Sequence, residues 1–286
     1  MPLSSFLCKL VSIYIDFNMA SSKRAAINTL IEYVVSGTPK IAAIRHCKNT
    51  FNLSDSEIEW LVEACNFKSP PKKINFEAFY NCAITKKAKK VDNPNLQLYY
   101  IDNFLSKIDC QLLRGYIEQN SIPAVLHDVG SQDDVRVYKK NERTSSTVFL
   151  NRTYHSFFKN VDQKIVKLME LHPFIGEGMM GQKYEINQFY KVHSDYFLDE
   201  DLKVYTEMGG QRSWTTMLYL NDVEEGGETH FPNVNIKMKP KEGTLLAWNN
   251  RNIDGTNNVN TLHEALPPKS GKKYIITKWW RSWSPV

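Results

Sequence analysis

The sequence predicts an α+β chain: a double-stranded β-helix, or jelly roll, with supporting helices, preceded by a small all-α domain. Three observations predict it. From about residue 97 onward, short runs rich in β-branched and aromatic residues recur between clusters of Gly, Pro and Asn. Between 19 and 92 apolar residues recur instead at helical spacing. Where the textures meet lies the run KKAKK followed by Asp92, Asn93, Pro94 and Asn95, the composition of a solvated linker. A chain of 286 residues has room for two domains, and 42% apolar and 12% aromatic content suffices for a core in each.

Residues 1–18 are apolar but interrupted by Lys9 and Asp16 and lack a basic start, so they form a poorly defined segment and a poor signal peptide; Met19 reads as an alternative start. The helical module spans 19–92, with helices over 25–35, 39–51, 54–65 and 74–84, Pro39 in a first turn, and Ser54 or Asp55 as a cap. The larger domain spans 97–286. It opens with a strand near 98–101, a cap at Ser106 and an amphipathic helix whose Ile108, Leu112, Leu113 and Tyr116 share a face. A second helix covers 157–171. The polar stretches 121–147 and 197–212 read as mobile loops.

Strands follow at 184–192 (YEINQFYKV) and 213–220 (SWTTMLYL), as short strands within 226–232 and 236–248 broken by Pro240 and the Glu242–Gly243 turn, and at 261–266 and 272–280, the last two flanking a hairpin connection of Pro267, Pro268, Ser270 and Gly271. On the first of these, His193 and Asp195 lie two apart and so point to one face. His263 lies seventy residues beyond His193. Two imidazoles and one carboxylate are the donor set of the facial triad that holds a non-haem Fe(II) and leaves positions open for a co-substrate and oxygen. Imidazole must be neutral to ligate, and Asp195 supplies the negative charge that favours a dication. Each residue alone reads blandly: a half-buried histidine, a turn lysine at 273, core tryptophans at 279 and 280. Their joint order and spacing carry the signal.

The blocks YEINQFYKVHSDY, SWTTMLYLNDVEEGGETHFP, KPKEGTLLAWNN, DGTNNVNTLHEALPP and GKKYIITKWW resemble, in order and separation, the 2-oxoglutarate- and Fe(II)-dependent prolyl 4-hydroxylases, over about residues 97–284. The resemblance implies iron ligation by His193, Asp195 and His263, and a Lys273 ammonium paired with the 5-carboxylate of 2-oxoglutarate. It also implies O2 as second co-substrate and ascorbate as reductant. Thr277 and Trp279 share the face of Lys273, the first to bond that carboxylate and the second to wall the pocket. Tyr184 matches a tyrosine that reaches the same carboxylate. Because 184 and 193 differ by an odd number, a bulge or bend near Asn187 is required. Arg212 and Tyr190 match positions facing the peptide, and Arg143 to Ser145 match an Arg-x-Ser stretch. The implied reaction is hydroxylation of a prolyl residue in a protein or peptide, with release of succinate and CO2. Two alternatives stand beside it: a sister dioxygenase acting on a lysyl side chain or nucleic acid base, and an inactive jelly-roll binding protein.

Between 23 and 92 twelve Lys and Arg face seven Asp and Glu, an excess that equals the net charge of +5 for the whole chain. Such a module invites acidic partners, nucleic acid among them. A helix-turn-helix reading of 38–65 is opposed by Glu57, Glu59 and Glu63 on the would-be recognition helix, so a plain bundle that docks a substrate is the stronger reading. The five cysteines, an odd number all at or before Cys110, argue against a disulfide framework and for a reducing compartment, hence a cytoplasmic location. With no apolar run of about 18 residues, no membrane partner is expected.

Overall fold

A computed structural model describes residues 40–58, 80–124, 126–127, 136–137, 141–150, 156–171, 175–198 and 210–282. The chain divides into two units, Met1–Lys72 and Lys73–Val286. In the first, helix α1 (Lys40–Phe51) forms where the periodicity placed it. A new helical turn then starts with Ser54 and Glu57 exchanging bonds as a capping box: Ser54 Oγ accepts from Glu57 N–H, and Glu57 accepts from Ser54 N–H. The helix expected over 25–35, the rest of the one over 54–65 and the first part of the one over 74–84 lie outside the described residues; at 81–83 the chain is not helical, and a helical turn begins at Ile84.

The second unit contains α2 (Ile84–Lys87), α3 (Lys107–Asn120) and α4 (Ser156–Met169). Its large sheet has β1 (Lys89–Lys90), β2 (Leu98–Ile101), β3 (Ile122–Pro123), β6 (Ser146–Leu150), β7 (Met179–Tyr184), β9 (Arg212–Tyr219), β12 (Leu245–Asn249) and β14 (Lys273–Arg281), in the order β1-β2-β12-β9-β14-β7-β6-β3. A small sheet is ordered β11-β10-β13-β8, from β8 (Tyr190–His193), β10 (Thr229–Phe231), β11 (Ile236–Met238) and β13 (His263–Ala265). A short ribbon joins β4 (Leu126–His127) to β5 (Arg136–Val137). Most of the expected loop at 197–212 lies outside the described residues.

Alternation along the strands builds two cores. On the outer face Trp214, Leu218, Ile276 and Trp280 pack with Leu113 and Ile117 of α3 and Phe158 and Ile165 of α4. On the inner face Met217, Tyr219, Leu246, Trp248 and Ile275 meet Phe231 and Ala265 of the small sheet. Each such side chain contributes about 1.5–3 kcal/mol on burial. Lys278, also on the outer face, is buried against Asp162 of α4 at 2.9 Å, which ties that helix to the sheet. Cys82 and Cys110 are buried free thiols, and Cys47 is buried as well. Burial pushes Cys82 up to about 12. Among the described residues no helix is long and apolar enough to cross a membrane.

Three expectations are corrected. Ser106 caps α3 as expected, accepting from Asp109 N–H, but Ile108 and Leu112 are 70% and 55% exposed, while Cys110, Leu113 and Ile117 face the core. Leu113 and Tyr116 of the expected face do pack inward, and the sheet completes the buried stripe by seating Ile117 against Gly181. A Cβ on Gly181 would lie 2.7 Å from Ile117 Cγ1. Gly181→Ala is therefore expected to lower unfolding free energy by about 1–3 kcal/mol in urea titration, the cost of overpacking; no loss would mean that α3 shifts freely.

Secondly, the stretch read as a linker belongs to the second unit. Cys82 and Ile84 lie in the helix-side core, Lys87 pairs with Glu170, and Lys89 pairs with Asp102 and adds β1 to the sheet edge. The boundary expected at 92–97 falls instead between Lys72 and Lys73, because two short apolar residues ahead of the lysines find a core to enter.

Thirdly, 184–192 is not one strand. Tyr184 ends β7, the chain turns with Asn187 at φ 65, and it re-enters as β8 in the other sheet. The bend near Asn187 is present, and it carries the chain between layers. Asn tolerates this left-handed conformation, and its N–H is held by Pro268 O.

Candidate metal and co-substrate site

The crossing at Asn187 delivers His193 to the end of β8, directly opposite His263 at the start of β13. The imidazoles are cross-strand neighbours with centroids 4.3 Å apart. His193 Nδ1 lies 2.7 Å from Lys191 O and His263 Nδ1 lies 3.0 Å from Thr261 O. Each Nδ1–H donates to a carbonyl, which fixes the tautomer and leaves Nε2 as the ligating atom. Asp195 stands past the end of β8, so its placement comes from a bond across the layers and not from strand period: Thr215 Oγ1 on β9 donates to Asp195 Oδ2 at 2.7 Å, and Asn250 donates to Thr215.

One donor atom from each of His193, Asp195 and His263 lies within 4.8 Å of the others. Burial, then the neighbouring His263, pushes His193 down to about 3, so its ring is neutral. Burial opposes ionisation of Asp195, yet the two imidazoles and Thr215 hold it below the usual carboxylate range. Two neutral nitrogens and one anionic oxygen, converging with their other atoms already bonded, fit a divalent iron held on one side. Thr215→Val removes the bond that aims the carboxylate and is expected to weaken Mn(II) or Fe(II) binding by roughly 10–100-fold, read by metal titration.

Lys273 opens β14 opposite Tyr184 of β7 and is fully buried. Its Nζ has no hydrogen-bond partner among the described residues and sits over the rings of Tyr184 and Tyr219 at 5.3 and 5.7 Å. Burial pushes it down to about 7. A buried ammonium without a partner is costly, and a pocket that holds one suits an anion. Thr277 and Trp279 line the same pocket, as the strand period required. So does Tyr184, whose hydroxyl donates to Gln182 Oε1 at 2.9 Å.

Tyr190 lies flat on His193, ring centroids 3.6 Å apart, and the Arg143 guanidinium lies 4.6 Å from the Tyr190 ring centroid. Arg212 lines the pocket, stacked 4.0 Å over Trp279, and two of its donors go to Glu177 at 2.7 and 2.8 Å. Burial opposes the Glu177 carboxylate, but Arg212 and Arg281 hold it down to about 2. All nine residues named from the sequence as metal, co-substrate or peptide contacts therefore line one cavity. Gln182, Thr215 and Glu177 were missed. Period two from Tyr184 and from Met217 pointed to the first two; nothing local marked Glu177.

A family model described as the 2OG-Fe(II) oxygenase superfamily matches residues 179–281. Among curated proteins, Arabidopsis thaliana "Probable prolyl 4-hydroxylase 10" is 33% identical over 211 residues, covering 66% of this chain and 69% of that protein. "Probable prolyl 4-hydroxylase 3" of the same plant is 35% identical over 62% of this chain and 66% of its own length. The chain thus spans about two thirds of the relatives it matches. Among solved structures, the collagen prolyl hydroxylase of Paramecium bursaria Chlorella virus-1, in complex with 2OG, superposes with a TM-score of 0.51 and 28% identity, over 65% of this chain and 96% of that one. A Trichoplax adhaerens prolyl hydroxylase solved with a peptide fragment shares the fold, at a TM-score of 0.51, 17% identity and coverage of 72% of this chain and 90% of that one. With the jelly roll, the three converging ligands and this sequence similarity together, the chain belongs to the prolyl 4-hydroxylase family of 2-oxoglutarate- and Fe(II)-dependent dioxygenases.

Proposed function

We propose that this chain hydroxylates a prolyl residue of a peptide or protein substrate, using Fe(II), 2-oxoglutarate and O2. The observation that carries the reading is the buried Lys273, unpartnered among the described residues, in the same cavity as His193, Asp195 and His263. When bound, Fe(II) with 2-oxoglutarate and O2 supplies oxidation of an unactivated C–H bond, coupled to formation of succinate and CO2. The protein's part is to hold and to shelter. His193, Asp195 and His263 hold the ion by one side. Lys273 meets the 5-carboxylate as a point charge where water does not screen it, Thr277 supplies a hydroxyl donor, Tyr184 lines the pocket with its own hydrogen given to Gln182, and Trp279 closes the wall. Arg212 and Tyr190 line the same cavity and are assigned to the peptide. The relatives' names, prolyl 4-hydroxylase and collagen prolyl hydroxylase, favour proline over a lysyl side chain or a base.

The test is a library of proline-containing peptides screened for succinate release with Fe(II) and 2-oxoglutarate, with Lys273→Ala as control and mass spectrometry to place the added oxygen. Oxygen on proline supports the reading. Oxygen found only on another residue type would replace it with that of a sister enzyme.

A further inference from the structure

Gln182 is a polar side chain of the cavity that the roles above leave unused. It sits on β7 two residues before Tyr184, is 5% exposed and lines the pocket. Its amide makes three bonds of 2.9 Å: Oε1 accepts from Tyr184 Oη and from Arg143 Nη2, and Nε2 donates to Thr277 Oγ1. The neighbours dictate which end is which. A guanidinium has donors only, so the amide oxygen must face Arg143 and the NH2 must face Thr277. Arg143 is itself fixed by its Nε bond to Ser145 and by the ring of Tyr190.

The consequence falls on Thr277. A hydroxyl carries one hydrogen and two lone pairs. With Gln182 donating to a lone pair, the hydrogen is left to point elsewhere, and Thr277 shares its inner face with Lys273. A carboxylate only accepts, so a hydroxyl set as donor is the form it needs. We propose that Gln182 is a positioning residue for the co-substrate, orienting the Thr277 hydroxyl as the donor that receives the 5-carboxylate, while its own oxygen is held in place by Tyr184 and Arg143. This rests on the assignment of that carboxylate to Lys273. Gln182→Glu would reverse the polarity, since its carboxylate takes the Thr277 hydrogen, and Gln182→Met would remove the amide without adding charge.

The experiment measures binding of 2-oxoglutarate and of 2-oxobutanoate, which lacks the 5-carboxylate, to the full Mn(II)-loaded chain by calorimetry without O2. Gln182→Glu is expected to weaken 2-oxoglutarate by about tenfold or more and Gln182→Met by about threefold or more, each the loss of a bond to a charged group. Mn(II) and 2-oxobutanoate affinities stay within about twofold, and in a Thr277→Val background Gln182→Met adds little. Equal weakening of both keto acids would mean a merely structural role and overturn the proposal, as would unchanged 2-oxoglutarate affinity in both variants. Unchanged affinity in Lys273→Ala would overturn the assignment of the pocket itself, and this inference with it.

Discussion

Asp195→Ala is expected to abolish turnover and to cost Fe(II) or Mn(II) affinity more than the 10–100-fold typical of altering a residue behind a ligand. Asp195 is the one anion of the ligand set, and without it two neutral imidazoles face a dication with no compensating charge. The fold should tolerate the change. Asp195 stands beyond the end of β8, and its side chain bonds to Thr215, not to the backbone ladder. Metal titration of the folded variant decides: affinity within tenfold of the parent would show that the ion is held elsewhere.

Lys273→Met is expected to raise the stability of the co-substrate-free protein while removing 2-oxoglutarate binding. The folded ammonium titrates at about 7, below the ordinary lysine value of 10.5. Between those values the unfolded chain binds more protons than the folded one, so stability rises with pH across this window, and the destabilisation is present in full below it. It amounts to about 5 kcal/mol by the size of the shift. Methionine has a similar shape and no charge, so thermal unfolding of the variant should show a higher Tm at pH 6–7 and none of the parent's rise between 7 and 10.5.

Co-substrate binding reverses the preference, because a 5-carboxylate favours the ammonium form and binding then takes up a proton. For the parent, 2-oxoglutarate affinity should fall by about tenfold per unit above pH 7. Calorimetry in buffers of different ionisation enthalpy would count that proton. An affinity flat from pH 7 to 9 would place the charge of Lys273 outside the binding step.

The fold class was legible because period-two alternation survives wherever one face of a strand is covered. On β14, Lys273, Ile275, Thr277 and Trp279 point to one core and Ile276 and Trp280 to the other. The metal ligands were legible by type and order, but not by local geometry. A sequence shows residues two apart and suggests one strand; it does not show that the strand ends at His193 and that Thr215, twenty residues from Asp195, aims the carboxylate. Likewise Arg212 was read toward a peptide, while its bonds to Glu177 are set by the pairing of β9 with β14 and the entry into β7. The face of α3 was half legible: Leu113 and Tyr116 were read inward and are so, whereas helical period alone could not choose between Ile108 and Leu112 and the buried Cys110 and Ile117. Gly181, more than sixty residues away, broke the tie.

Because both histidines are borne by one layer, on β8 and β13, whereas Lys273, Thr277, Tyr184 and Gln182 all project from the other, the two chemical duties are physically separable. Residues of β7 and β14 can therefore be recut to accept a shorter or longer keto acid without disturbing the grip on the ion. Thr215 is the exception, since it reaches from the second layer to Asp195. An engineer seeking altered co-substrate use would randomise the first group and leave that threonine alone.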